Sequence, residues 1–253
     1  MAPSEGAGPG PAPDSFSAAT PLATGRTADV WLLPGGRVLR RYRDGGDVRA
    51  EAEVMRYLHR AGYPVPRVHH ADGAGLVLDR VTGPTLVEAF HAGTVTAPVV
   101  ARMLVDLHAR LHALPALRSA DPAVRLLHLD LHPHNVLLAA TGPVVIDWTD
   151  SAEGPPALDR TTTALILAEV AVAPGHPLAA AAGELLSAYV AASGPLDRLA
   201  EAVRHRAAGH APDPERLPEA AALLTESIRA VTPTARGRRA PQPSSAAPPR
   251  SRS

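Results

Sequence analysis

Three oxygen-bearing side chains stand at a spacing that suits phosphate chemistry. Asp130 is followed five residues later by Asn135, and Asp147 comes after a short apolar hairpin, so all three lie at the ends or starts of buried strands. Moving a phosphoryl group needs a carboxylate that orients the attacking hydroxyl and accepts its proton, together with oxygen ligands that hold Mg²⁺ on the phosphates. Asp130 suits the first task, and Asn135 with Asp147 the second. Singly, Asp and Asn near strand ends are ordinary turn formers. Their joint spacing, with His128 two residues before Asp130 and Ile146 directly before Asp147, is what points to chemistry.

The elements that must carry these residues follow from apolar periodicity. Ala28–Leu33 and Arg37–Tyr42, joined by Pro34-Gly35-Gly36, predict a β-hairpin. Val48, Ala52, Met55 and Leu58 fall on one helical face, with Gly62 and Pro64 as the stop. A second strand pair spans residues 67–71 and 76–81, around the turn Asp72-Gly73-Ala74-Gly75. After Gly83 the pattern becomes helical, first over residues 85–91 and then in a longer helix with Thr96 at its N-cap and Val100, Met103, Leu104, Leu107 and Leu111 as its buried stripe. Short apolar strands at 126–129, 136–139 and 144–146 flank the three polar residues, and Ala- and Leu-rich helices fill about 156–230. The expected fold class is α+β, with a small β-rich N-terminal lobe at 21–83 and a mainly helical lobe at 84–231. Residues 1–20 and 232–253, rich in Pro, Gly, Ala and Ser, read as disordered tails, the second of them basic.

Composition narrows the function. The 253 residues are 45% hydrophobic, enough for a sizeable core. Its 25 basic residues, all Arg, balance 25 acidic ones, so no overall field draws the chain to nucleic acid or an anionic membrane. No stretch is long and apolar enough to span a bilayer, and the first residues lack the layout of a secretory signal. With cysteine absent as well, a cytoplasmic location is expected. No motif fixes an oligomeric state.

The segment His128-Leu129-Asp130-Leu131-His132-Pro133-His134-Asn135-Val136-Leu137, with Ile146-Asp147-Trp148, fits the kinase pattern H-x-D-x-x-x-x-N followed by a metal-binding Asp. It resembles the aminoglycoside phosphotransferase family, which also embraces choline kinase-like small-molecule kinases. Further likeness lies in Gly25-Arg26-Thr27, Pro64-Val65-Pro66-Arg67-Val68, Gly83 and Gly154-Pro155-Pro156-Ala157-Leu158-Asp159, so the resemblance covers roughly residues 23–230. It implies a protein-kinase-like two-lobed fold that transfers phosphate from ATP to a hydroxyl of a small molecule. By position it makes Asp130 the catalytic carboxylate, Asn135 and Asp147 the magnesium ligands, and His128 a brace of the catalytic loop. It also makes Glu51 the partner of a phosphate-holding side chain, and Asp79 and Val81 the hinge whose backbone receives adenine. His132, two residues beyond Asp130, stands where protein kinases place a charge that touches the transferred phosphate. Asp159 reads as a helix-terminal brace, and His108 and His112 as packing along the long helix.

Two departures stand out. The phosphate-holding position usually filled by Lys is Arg40, and the chain contains no Lys. The Gly-rich loop is reduced to Gly25, without a G-x-G-x-x-G match. Arg40 motivates a second reading, a nucleotide-binding pseudokinase, because a guanidinium fork is larger and differently directed than an ammonium. A third reading takes His128, Asp130, His132 and His134 as the metal cluster of a hydrolase, but leaves Asn135 and Asp147 unexplained. On the kinase reading the acceptor is a small molecule, since the short segment from Asp147 to Gly154 has no room for a protein-binding activation loop. The acidic excess of the last helices is too mild for a polycation pocket, and Tyr189, the only aromatic after Trp148, makes no cage for a quaternary amine.

Overall fold

A computed structural model describes residues 19–24, 28–43 and 45–232. Gly25 and all but the boundary residues of the two tails lie outside them. The N-terminal lobe is a five-stranded antiparallel sheet of β1 (Thr20–Thr24), β2 (Ala28–Leu33), β3 (Arg37–Tyr42), β4 (Val68–Asp72) and β5 (Gly75–Asp79), in the order β1-β2-β3-β5-β4. The hairpin of β2 and β3 runs in unbroken register from Ala28 opposite Tyr42 to Leu33 opposite Arg37. β1 was not expected, and Thr20 belongs to it rather than to a tail. Its five residues are all exposed, and Pro21 removes a ladder donor, so the strand has neither the alternation nor the composition that marks a half-buried one.

Helix α1 (Arg49–Arg60) packs across the lobe and buries Ala52, Val54, Met55 and Leu58 together with the carboxylate-bearing Glu51. The helical lobe begins with α2 (Leu86–His91). There Glu88 N donates to Thr85 Oγ1 at 3.2 Å, and Thr85 N donates back to the Glu88 carboxylate at 2.7 Å, a reciprocal cap. The long helix α3 (Ala97–His112) follows, then β6 (Arg125–Leu127), β7 (Val136–Ala139), β8 (Gly142–Val145) and β9 (Ala152–Gly154). β7 pairs with β8 and β6 with β9, so the two polar segments that carry Asp130 and Asp147 leave adjacent short ladders. β9 was missed because three residues reading Ala-Glu-Gly carry no β signal.

The lobe is completed by α4 (Pro156–Val172), α5 (Ala179–Ala192), α6 (Leu199–His205) and α7 (Leu217–Val231). α4 is the central element, buried along nearly all its first three turns from Asp159 to Ala168. Thr161 and Thr162 can sit there because their hydroxyls donate to the carbonyls of Ala157 and Leu158 at 2.7 and 2.9 Å. Thr163 instead donates to Leu131 O at 2.7 Å, tying the helix to the loop after Asp130.

The lobes join at Gly83, whose φ is +142° and whose absent Cβ would stand 2.0 Å from Leu138 O. The chain thus crosses directly against β7, and Leu138 N donates to Pro84 O at 2.8 Å. No other residue fits there, which is the physical content of a glycine directly after the second strand pair.

Candidate active site

His128 organises the loop that holds Asp130. Its ring is fully buried; Nδ1 accepts from Asp130 N at 3.2 Å and Nε2 donates to Ile146 O at 3.1 Å. One acceptor and one donor define a neutral imidazole, and burial lowers its pKa in keeping. One ring thereby fixes the Asp130 backbone relative to the strand end just before Asp147. The expected bracing role matches this geometry.

The loop itself is strained. Leu129 has φ +63°, a left-handed conformation that costs a Cβ-bearing residue roughly 1–2 kcal/mol. Asp159, in the first turn of α4 and with no exposed surface, holds it there. Its carboxylate accepts from His128 N at 3.0 Å and Leu129 N at 2.8 Å. His112 Nε2 approaches the same group at 2.9 Å and His108 Nε2 at 3.7 Å. Burial alone would raise the Asp159 pKa, but the imidazoles of His108 and His112 outweigh it and hold the carboxyl well below the usual range. Asp159 is therefore a brace of the loop rather than only of its own helix, and His108 and His112 are the buried support of that carboxylate.

Asp130 faces the cleft between the lobes. Asn135 Nδ2 donates to Asp130 O at 2.9 Å and Oδ2 at 3.1 Å, and His132 Nε2 lies 3.4 Å from the same Oδ2. Arg206 Nη1 donates to Oδ1 at 3.2 Å. Burial pushes the Asp130 pKa up, and His132, His128 and Arg206 more than reverse this, so the group is a carboxylate below its ordinary value. Arg206 was not anticipated. It lies in the irregular turn after α6, is 3% exposed, and makes a bidentate pair with Glu169 of α4 at 2.9 and 3.0 Å. Neither residue has a sequence spacing that ties it to Asp130.

Asp147, which also borders the cleft, has φ +64°, which an Asp tolerates better than a branched residue. Its Oδ1 accepts from Arg40 Nη2 at 2.6 Å and Thr149 Oγ1 at 2.8 Å. Arg40 Nη1 donates to Glu51 Oε1 at 2.8 Å, so the two ends of one guanidinium bridge both carboxylates. Tyr42 OH donates to Glu51 Oε2 at 2.9 Å and lies 2.5 Å from Thr149 Oγ1. Tyr42 was readable in retrospect, because strand period 2 puts it on the face of Arg40. Burial raises the Asp147 pKa, while Arg40 and the Thr149 hydrogen bond outweigh it and leave the group ionised.

Asp130, His132, Asn135, Asp147, Arg40, Asp79 and Val81 all border one cleft of about 1060 Å³, and Glu51 stands behind Arg40. Ala28, Val30, Val38, Leu78, Leu137 and Ile146 give its hinge end apolar walls suited to a flat ring. The Asp79 carboxylate turns to His69 Nε2 at 2.6 Å, and Arg80 N donates to Gly36 O at 2.8 Å, which ties the hinge to the β2–β3 turn. Among the described residues Val81 N donates to no backbone or side-chain acceptor, Asn135 Oδ1 accepts no hydrogen bond and Asp147 Oδ2 accepts none. Two free oxygens of this chemistry suit a hard divalent cation. The hydrolase cluster does not form: both ring nitrogens of His128 are engaged in the loop, and among the described residues no three His, Asp or Glu side chains are grouped to hold a metal.

A β-rich lobe over a helical lobe, with Asp130 and Asp147 both bordering the cleft between them, defines the protein-kinase-like fold. The chain belongs to the APH phosphotransferase enzyme family, whose model matches residues 18–123 and 113–195. No curated protein matches it significantly. Among solved structures, the ADP-bound aminoglycoside phosphotransferase APH(2'')-Ib is similar with 16% identity over 85% of this chain and 94% of that one, at a TM-score of 0.53. The gentamicin complex of APH(2'')-IIa is similar with 14% identity over 85% and 94%, at a TM-score of 0.50. The streptomycin–ATP ternary complex of APH(2'')-IIa follows at 15% identity, 83% and 94% coverage and a TM-score of 0.50. At such identities the likeness establishes the fold.

Proposed function

We propose that this phosphotransferase moves the γ-phosphoryl group of ATP to a hydroxyl of a small molecule in the cytoplasm, with Asp130 as its catalytic carboxylate. The observation that carries the reading is the disposition of Asp130, Asn135 and Asp147 around one cleft, with oxygens of the last two left without partners. Adenine would lie between the apolar walls of the hinge, on the free Val81 N–H. Mg²⁺ held by Asn135 Oδ1 and the Asp147 carboxylate would supply neutralisation of the phosphate oxygens.

Asp130 then orients the acceptor hydroxyl. The acceptor oxygen forms a new bond to the γ-phosphorus as the bond from that phosphorus to the β-bridging oxygen breaks; the hydroxyl proton passes to Asp130, and ADP departs. A carboxylate of lowered pKa is a weak base, which is adequate because phosphoryl transfer asks mainly for alignment and charge stabilisation. His132, beside Asp130, would meet the transferred phosphate. Arg40 keeps the pairing with Glu51 that the usual Lys would make and reaches Asp147 as well, which favours an active enzyme over a pseudokinase.

Loss of even an outer partner typically costs a metal site about 10–100-fold in affinity. Asp147→Ala is therefore expected to remove the strengthening of ATP binding by Mg²⁺, read as equal dissociation constants with and without the ion in a calorimetric titration. Retention of the full Mg²⁺ effect would rule Asp147 out as a ligand.

A further inference from the structure

Beyond Asp130 the cleft runs on between α4 and α5, where Ile166, Val170, Leu178, Ala182 and Leu185 form its walls. The charged groups of this end are already matched in pairs. Glu169 is held bidentately by Arg206, with side chains only 9% and 4% exposed, and Asp213 accepts from Arg216 Nε at 2.8 Å. Asp130, the one carboxylate of this end left over among the described residues, is itself approached by Arg206 and His132. A ligand with several ammonium groups would meet two arginines here, and to reach Glu169 it would have to break a buried, two-fold hydrogen-bonded ion pair, a costly exchange. An apolar body meets no such cost, and its burial against the hydrocarbon wall is favourable.

We infer that the acceptor is an uncharged alcohol with an apolar body, its hydroxyl at Asp130 and its hydrocarbon portion against the facing sides of α4 and α5. This rests on Asp130 being the group that orients the acceptor. The Glu169–Arg206 pair then does two things: it holds Asp130 in place from behind, and it removes from the pocket the negative charge that a polycation would need.

The test is a titration of the full chain, with Mg²⁺ and a non-hydrolysable ATP analogue present, using the straight-chain primary alcohols from butanol to octanol, and gentamicin as the polycation. Affinity is expected to rise about three- to fourfold for each added CH₂, the effect of burying one methylene, and octanol is expected to bind more tightly than gentamicin. Val170→Asp should flatten the chain-length dependence, and the nearly isosteric Val170→Thr should weaken octanol several-fold with the fold intact. A flat series in the unmodified protein, a series unchanged by Val170→Thr, or gentamicin binding more tightly than octanol would overturn the inference. Binding here needs no transfer, so the phosphotransferase reading is judged separately: a steep series with no ATP consumed in the presence of octanol would count against Asp130 as a catalyst while leaving the pocket assignment standing.

Discussion

Asp130→Asn is expected to lower kcat by about 10²–10⁴-fold, the range over which a positioned proton acceptor contributes, while the dissociation constant for ATP with Mg²⁺ stays within a few-fold. The substitution keeps the size of the side chain and one oxygen for Arg206 Nη1, which approaches at 3.2 Å, so the loop should not rearrange. Asn cannot accept the hydroxyl proton, and its amide nitrogen would face either Asn135 Nδ2 or Arg206, both donors. The separation of turnover from binding is the informative part. A structural role alone would move both together, and full activity in the Asn variant would remove Asp130 from the mechanism.

The second large effect concerns stability. Asp159→Asn is expected to destabilise the protein by about 3 kcal/mol, because a buried carboxylate that satisfies several donors is replaced by a group with one acceptor and a competing NH₂. The donors that would compete for that one acceptor are His128 N, Leu129 N and His112 Nε2, at 2.8–3.0 Å in the unmodified chain. The measurement is denaturant unfolding at neutral pH. Since the folded-state pKa of Asp159 lies well below its ordinary value, its stabilisation is fully present above the unfolded value, near pH 4, and is lost as pH falls through the folded value. The gap between the two proteins should therefore be constant from pH 7 to pH 5 and narrow only below about pH 4. A gap that closed near pH 6 would mean that histidine protonation, not Asp159, controls the loop.

The residues that spacing could identify were those close together in the chain or bound to strand ends. Asp130 and Asn135 lie in one loop, Asp147 follows the hairpin of β7 and β8, and Gly83 follows a predicted strand, so local rules were sufficient to find them. Glu51 and Arg40 needed the resemblance, because a buried ion pair looks like two solvated charges until the sheet and α1 are stacked. Arg206 and Glu169 were beyond reach: the contact of Arg206 with Asp130, and its pairing with Glu169, depend on how α4 packs against the turn after α6, a long-range matter that no period encodes. The same holds for His108 and His112, which read as helix packing because nothing local in α3 reveals that Asp159 arrives against them. Strands failed where they were short or exposed, as in β1 and β9.

Arg40 shows how tertiary context can make an unlike residue serviceable. A guanidinium is planar and offers separated donors, and here its two terminal nitrogens are divided between Glu51 and Asp147. Thr149 Oγ1 accepts from the same Nη2 at 3.1 Å, and Tyr42 OH donates to the other Glu51 oxygen. An ammonium at the same Cα would have to choose a narrower set of partners, so this cluster is built for arginine.

The most direct test of the account is a crystal structure of the full chain with Mg²⁺ and a non-hydrolysable ATP analogue. The expected result is adenine at Val81, an ion about 2.0–2.1 Å from Asn135 Oδ1 and an Asp147 oxygen, and the γ-phosphorus facing Asp130 across the space left for a hydroxyl. A triphosphate seated elsewhere, or an ion that touches neither Asn135 nor Asp147, would contradict it.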